Sequence, residues 1–119
     1  MARVLICEPH ADIRSLLAFV VGRLGHDATL SDGSCEQLRD VDAFVLEPGD
    51  ADALALAAWA REHLPGLALV CTSIYPSWPE VEALHPDAYL VKPFPLLRLE
   101  DALADALARR TGAPAAVAT

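Results

Sequence analysis

Hydrophobic and polar positions along the chain follow two alternating rhythms. Largely apolar runs at residues 4–7, 41–46 and 67–71, and again from Tyr89 to Val91, have the length and density of short strands covered on both faces. Residues 26–30 read as a further short strand. Between them the period becomes helical. Ile13, Leu17, Val20, Val21 and Leu24 form one stripe, with Asp12 in the first turn and Gly25 as terminator. Shorter helices are expected over residues 35–39, after the Ser31-Asp32-Gly33-Ser34 turn, and over 79–84, where Pro79 takes the first helical position and Pro76 and Pro86 set the limits. An Ala-rich helix over 52–64 starts behind Pro48-Gly49-Asp50, with Asp50 as cap, and stops at Pro65-Gly66. Leu96, Leu99, Leu103 and Leu107 mark a last helix reaching about Arg110.

Five strands alternating with five helices predict an α/β fold, a three-layer α/β/α sandwich around a five-stranded parallel sheet with right-handed crossovers. Residues 1–110 form one domain, and 111–119, made of small residues and one proline, read as a disordered tail or linker stub. Chemistry in such a sheet belongs at the carboxyl ends of the strands. Those ends carry Glu8, Glu47, Thr72 and Lys92. Pro93 holds Lys92 in extended or turn geometry, and a cis Lys92–Pro93 bond would turn the amine inward.

Composition narrows the function further. A formal net charge of -8 leaves no basic stripe for nucleic acid. No run approaches the ~20 apolar residues of a membrane span and the start carries no cationic leader, so a cytoplasmic location is expected. Cys7, Cys35 and Cys71 are an odd number without C-x-x-C spacing, which argues against a zinc site or a disulfide framework, and Cys7 and Cys71, each after an aliphatic run, read as buried small hydrophobes. His10, with Glu8 and Glu47, is a candidate transition-metal cluster set against the plainer reading of a solvated loop histidine. Trp59 and Trp78 are either interface anchors or covers for the core edge.

The stretches Val4-Leu5-Ile6-Cys7-Glu8 with Ala11-Asp12-Ile13-Arg14, Phe44-Val45-Leu46-Glu47, Val70-Cys71-Thr72-Ser73 and Tyr89-Leu90-Val91-Lys92-Pro93-Phe94, in this order and spacing, resemble the receiver domain of two-component response regulators. The resemblance covers about residues 2–110 and implies the flavodoxin-like strand order 2-1-3-4-5. In that family an aspartate ending the third strand accepts a phosphoryl group, two acidic residues after the first strand hold magnesium, a hydroxyl caps the phosphoryl oxygens and a lysine neutralises them. Thr72, Tyr89 and Lys92 match the hydroxyl, the switch aromatic and the lysine, with Pro93 following. The acidic half departs. Glu47 stands at the phosphoacceptor position, Glu8 at the first metal position, and Pro9, which has no side-chain oxygen, at the second.

A glutamate's extra methylene displaces its carboxylate by roughly 1.5 Å, and a misplacement of that order can cost ~10²-fold. Magnesium needs near-octahedral oxygen ligation, so a site containing Pro9 binds it weakly or not at all. The resemblance with its departures implies a non-enzymatic, phosphorylation-independent pseudo-receiver in phosphorelay signalling, in which Glu47 faces Lys92 or Thr72 and imitates phosphoryl charge. The alternatives are a structural ion pair without signalling content and a magnesium-dependent phosphoacceptor using Glu47. The partner is expected to be a protein, whether histidine kinase, output protein or second copy, docking on the fourth helix, fifth strand and fifth helix.

Overall fold

The computed structural model describes residues 1–110; the tail expected over 111–119 lies outside the described residues. The elements are β1 (Arg3–Cys7), α1 (Ala11–Arg23), β2 (Asp27–Leu30), α2 (Glu36–Arg39), β3 (Ala43–Leu46), α3 (Ala51–His63), β4 (Ala68–Ser73), α4 (Pro79–Glu82), β5 (Ala88–Val91) and α5 (Leu96–Arg110). All strand pairs are parallel and the order is β2-β1-β3-β4-β5, as the resemblance implied. Among the described residues no helix is long and apolar enough to cross a membrane.

Strand alternation divides the core into two layers. Val4, Ile6, Val45, Val70 and Leu90 pack against Leu17, Val20 and Val21 of α1 and Leu99, Leu103 and Leu107 of α5. Leu5, Phe44, Leu46, Leu69 and Cys71 face the other way, against α3 and Val81 of α4. The Ala-rich face of α3, with Ala53, Ala57 and Ala60 fully buried, lets that helix approach the sheet closely. Trp59 and Trp78 both pack partly buried against this second layer, which favours the core-cover reading. Trp59 is also stacked on His63 with ring centroids 4.6 Å apart, and the Arg39 guanidinium lies 5.1 Å from its ring centroid.

Local signals account for the element ends. Asp50 accepts from Asp52 N at 3.2 Å as the cap of α3. Gly25 ends α1 at φ +87°, a conformation that favours glycine. The structure corrects two expectations. The last strand is not covered on both faces: in β5 only Leu90 is buried while Val91 is 47% exposed, and β2, at the other edge, is exposed throughout. A strand with a neighbour on one side only has less to pack against. The helix expected over 79–84 is a single turn, Pro79–Glu82, because Pro86 stops propagation almost as soon as Pro79 starts it.

β5, with little apolar burial, is held at its amino end by Asp87. That carboxylate accepts Leu69 N at 2.8 Å and Arg110 Nη2 at 3.1 Å, and lies 3.7 Å from Arg61 Nη2. Arg61 in turn donates to the carbonyls of Leu67 and His85, at 2.9 and 2.8 Å, and to that of Leu84. Two helices and the α4–β5 loop therefore meet on one mostly buried carboxylate. Asp87→Ala leaves Leu69 N–H unpaired and removes the shared anion of the two arginines, so a loss of about 3–5 kcal/mol is expected, measured by urea unfolding at neutral pH. A loss below about 1 kcal/mol would mean that water replaces the carboxylate.

Candidate functional site

Strand register brings the site residues to one edge. Cys7 lies beside Leu46, Leu46 beside Cys71, and Ser73 beside Val91, so Glu8, Glu47, Thr72 and Lys92 fall at the ends of adjacent strands. Lys92 N donates to Ser73 O at 2.7 Å and Glu47 N to Cys7 O at 3.0 Å, which carries the ladder one step past the strands. Glu8, Glu47 and Lys92 continue the parity of Ile6, Val45 and Leu90, so alternation turns them toward the α1/α5 side. The Lys92–Pro93 peptide is cis.

The centre of the arrangement is the Lys92 ammonium. Nζ donates to Glu8 Oε1 at 2.6 Å and to Glu47 Oε1 at 2.9 Å. The other oxygens are engaged as well. Glu8 Oε2 accepts His10 N at 3.1 Å and lies 3.2 Å from His10 Nδ1, while Glu47 Oε2 accepts Gly49 N at 2.9 Å. Arg14 Nη1 fixes the backbone beneath by donating to Glu8 O at 3.1 Å. Glu8 and Glu47 are only 3% and 7% exposed. Burial pulls the Lys92 pKa down, but the hydrogen bonds and charges of Glu8 and then Glu47 outweigh it, and the net shift is upward.

The residues named from sequence are thus treated unequally by the fold. Lys92 meets Glu47, as one of the two options required, and also Glu8, which the sequence reading had placed only as a metal position. Thr72 is fully buried beside Glu47 in the register, yet its hydroxyl has no hydrogen-bond partner. Tyr89 packs partly buried against the α3/α4 layer and donates its hydroxyl to Tyr75 O at 2.6 Å, tying β5 to the β4–α4 loop. Pro9 is exposed at the rim. His10 bonds Glu8, but among the described residues no group of three or more His, Cys, Asp or Glu side chains is placed to hold a metal ion. The donor set does not suit magnesium either, since Pro9 offers no oxygen at the second position and Lys92 already places a cation between the two carboxylates. The thiol of Cys71, buried behind the site, is pushed up to about 12 by desolvation and is an inert core group.

Sequence reasoning missed two contributors. One is Gly49, whose N–H turns Glu47 back onto its own loop; a Cβ there would stand 3.1 Å from Glu47 Oε2. The other is the second carboxylate on Lys92. No sequence signal marked it, since it depends on where the amine of Lys92 lies between two strands.

No protein-family profile matches the chain, and no curated protein does. Solved structures match it closely in shape. A CheY-like response regulator receiver domain protein from Methanospirillum hungatei JF-1 superimposes with TM-score 0.81 at 16% identity, over 93% of this chain and 97% of that one. A sensor protein from Polaromonas sp. JS666 gives TM-score 0.76 at 24% identity, over 91% of this chain and 97% of that one. NtrX from Brucella abortus gives 0.78 at 22% identity over 92% of this chain, which spans only 27% of the NtrX chain. The fold is therefore that of response regulator receiver domains.

Lys92→Met leaves two buried carboxylates facing each other without their cation, and a loss of about 3–5 kcal/mol is expected. Replacing both partners, as Glu47→Gln with Lys92→Met, should cost less than the two single changes summed, read by urea unfolding. Additivity would mean that the cage contributes no coupling. The pH signature belongs to Lys92. Its folded pKa lies above the ordinary ~10.4, so its contribution is complete below that value and is lost as pH rises through the folded one. The native chain should accordingly lose more stability above about pH 10.4 than Lys92→Met does, since both retain Cys71 and Tyr89.

Proposed function

We propose that this receiver-fold chain is a non-enzymatic signalling module of the two-component type that acts through protein contact, holding its acidic site shut with its own lysine instead of accepting a phosphoryl group. The observation that carries this reading is the Lys92 ammonium bonded at once to Glu8 and Glu47. A carboxylate nucleophile needs an oxygen with free electron density facing the donor. In Glu47 one oxygen is bonded to Lys92 and the other to Gly49 N, which lowers the nucleophilicity of each without using up its lone pairs. Two carboxylates and one ammonium also leave a formal charge of -1, which repels an anionic phosphodonor that no metal ion escorts.

Lys92 in this reading is the lysine that would neutralise a phosphoryl group, already committed to Glu8 and Glu47. Glu47 brings the negative charge, Lys92 the counter-charge, and the state is fixed by the sequence. Tyr89, tied to Tyr75 O, carries that state outward to the face formed by α4, β5 and α5. A surface depression of about 310 Å³ between β5 and α5 there is lined by Tyr89, Arg98, Asp101, Asp105 and Arg109, a mixture of charges suited to a protein partner such as a kinase, an output protein or a second copy. A cytoplasmic location goes with this role.

Incubation with magnesium and a small phosphodonor, followed by intact mass, should show no phosphoryl addition. Stoichiometric addition of one phosphoryl group would establish the competing reading, a phosphoacceptor using Glu47. Glu47→Asp alone should remain unmodified, whereas Glu47→Asp combined with Pro9→Asp shortens the acceptor and supplies a second metal carboxylate, and should gain measurable magnesium affinity. Modification of the single variant would sink the metal argument.

A further inference from the structure

Beside the ion cage the carboxyl edge opens into a cleft of about 380 Å³, walled by Pro9, Ile13, Ile74 and Tyr75, with Glu47, Asp50, His10 and Lys92 as its charged or ionisable side chains. It continues across Ile13, Ile74 and Lys92 into a groove of about 350 Å³ between α1 and the β5–α5 loop, walled by Leu16, Phe94 and Leu96. Large apolar side chains lie open there: Ile74 is 60% exposed, Tyr75 56% and Leu16 45%. Volumes of this size suit small organic molecules, whose sites are mostly apolar with a few convergent polar groups.

The polar groups all point to one sign of ligand. Lys92, the cation at the floor, is already bonded to two carboxylates, so it has little left to offer an anion. Glu47 and Asp50 are acceptors. His10 Nδ1 faces the carboxylate oxygen of Glu8, which only accepts, so that nitrogen carries a proton and is turned away from a ligand. Tyr75 brings an aromatic ring to the same place: its Cδ2 lies 3.9 Å from where a Cβ on Gly49 would stand, and Glu47 Oε2 is 3.1 Å from the same point. An aromatic ring and a carboxylate side by side are a combination that favours an ammonium group.

We propose that the cleft is a receptor for a small organic cation: an ammonium group held between Glu47, Asp50 and the Tyr75 ring, attached to an apolar body resting on Ile13 and Ile74. The proposal goes beyond the phosphorylation-independent reading and does not need it, because it rests on the shape and sign of the cleft. Phosphoryl mass decides the one and ligand titration the other.

The chain contains three isoleucines, Ile6, Ile13 and Ile74, which makes the test direct. Two line the cleft, and Ile6 is fully buried in the core as an internal reference. Methyl NMR of isoleucine-labelled protein would be recorded during titration with 2-phenylethylamine, the neutral 2-phenylethanol and the anionic 3-phenylpropionate. Expected is a saturable shift of the Ile13 and Ile74 methyls with the amine, none at Ile6, and clearly weaker responses to the alcohol and the acid. Asp50→Asn keeps an N-cap for α3 but removes the charge, and should weaken amine binding severalfold. Equal responses to all three probes, no saturable shift with the amine, or unchanged affinity in Asp50→Asn would each overturn the proposal.

Discussion

Two carboxylates at the ends of neighbouring strands, both almost wholly buried, can coexist only if a cation lies between them. At a few ångströms in a medium of low polarity their repulsion amounts to several kcal/mol, and each would otherwise take up a proton or turn out to solvent. The fold supplies the cation from β5, the edge strand on the far side of β4. The ammonium of Lys92 suits the task better than a guanidinium would, because its compact point charge can serve two acceptors on different strands, whereas the planar fork of arginine favours one bidentate partner. The chain's other basic residues, eight arginines, do different work. Three of them converge on Asp87, two within 3.7 Å and Arg109 at 3.9 Å, at the opposite end of the same strand.

β5 is therefore pinned by charge at both ends. Its apolar contribution is small, since Leu90 is its one buried residue and Val91 is half exposed. Asp87 sits just before it and Lys92 just after it, and each contacts residues distant in sequence: Leu69 and Arg110 for the first, Glu8 and Glu47 for the second. Ionic contacts here do what aliphatic packing does for β1, β3 and β4.

How much of this could be read from the sequence follows from the same contrast. The interior strands and long helices were legible because their apolar positions keep a strict period, and the register then places Glu8, Glu47, Thr72 and Lys92 on one edge with no further information. The exposure of β2 and β5 was not legible, because an apolar tripeptide such as Tyr89-Leu90-Val91 looks the same on a sheet edge as inside. The pairing of Glu47 with Lys92 followed from the types of residue at the strand ends. The equal share taken by Glu8 did not, because it depends on where the amine lies between two strands that are 84 and 45 residues away from it in sequence. Thr72 shows the limit from the other side: its place beside Glu47 is dictated by the ladder, while the direction of its hydroxyl is not.

A buried ion triad is weak evidence for stability, because well-packed apolar residues of the same volume commonly do as well or better. Its persistence in so apolar a chain, 54% hydrophobic, therefore calls for another explanation than strength. Register is one. Slipping β5 by one residue would turn Lys92 away from the α1/α5 side, strand both carboxylates and break the bond from Lys92 N to Ser73 O, so the cage penalises the misaligned sheet far more than it favours the aligned one. Charge state is the other. A site that contains its own counter-ion needs none from solvent to keep two neighbouring carboxylates buried.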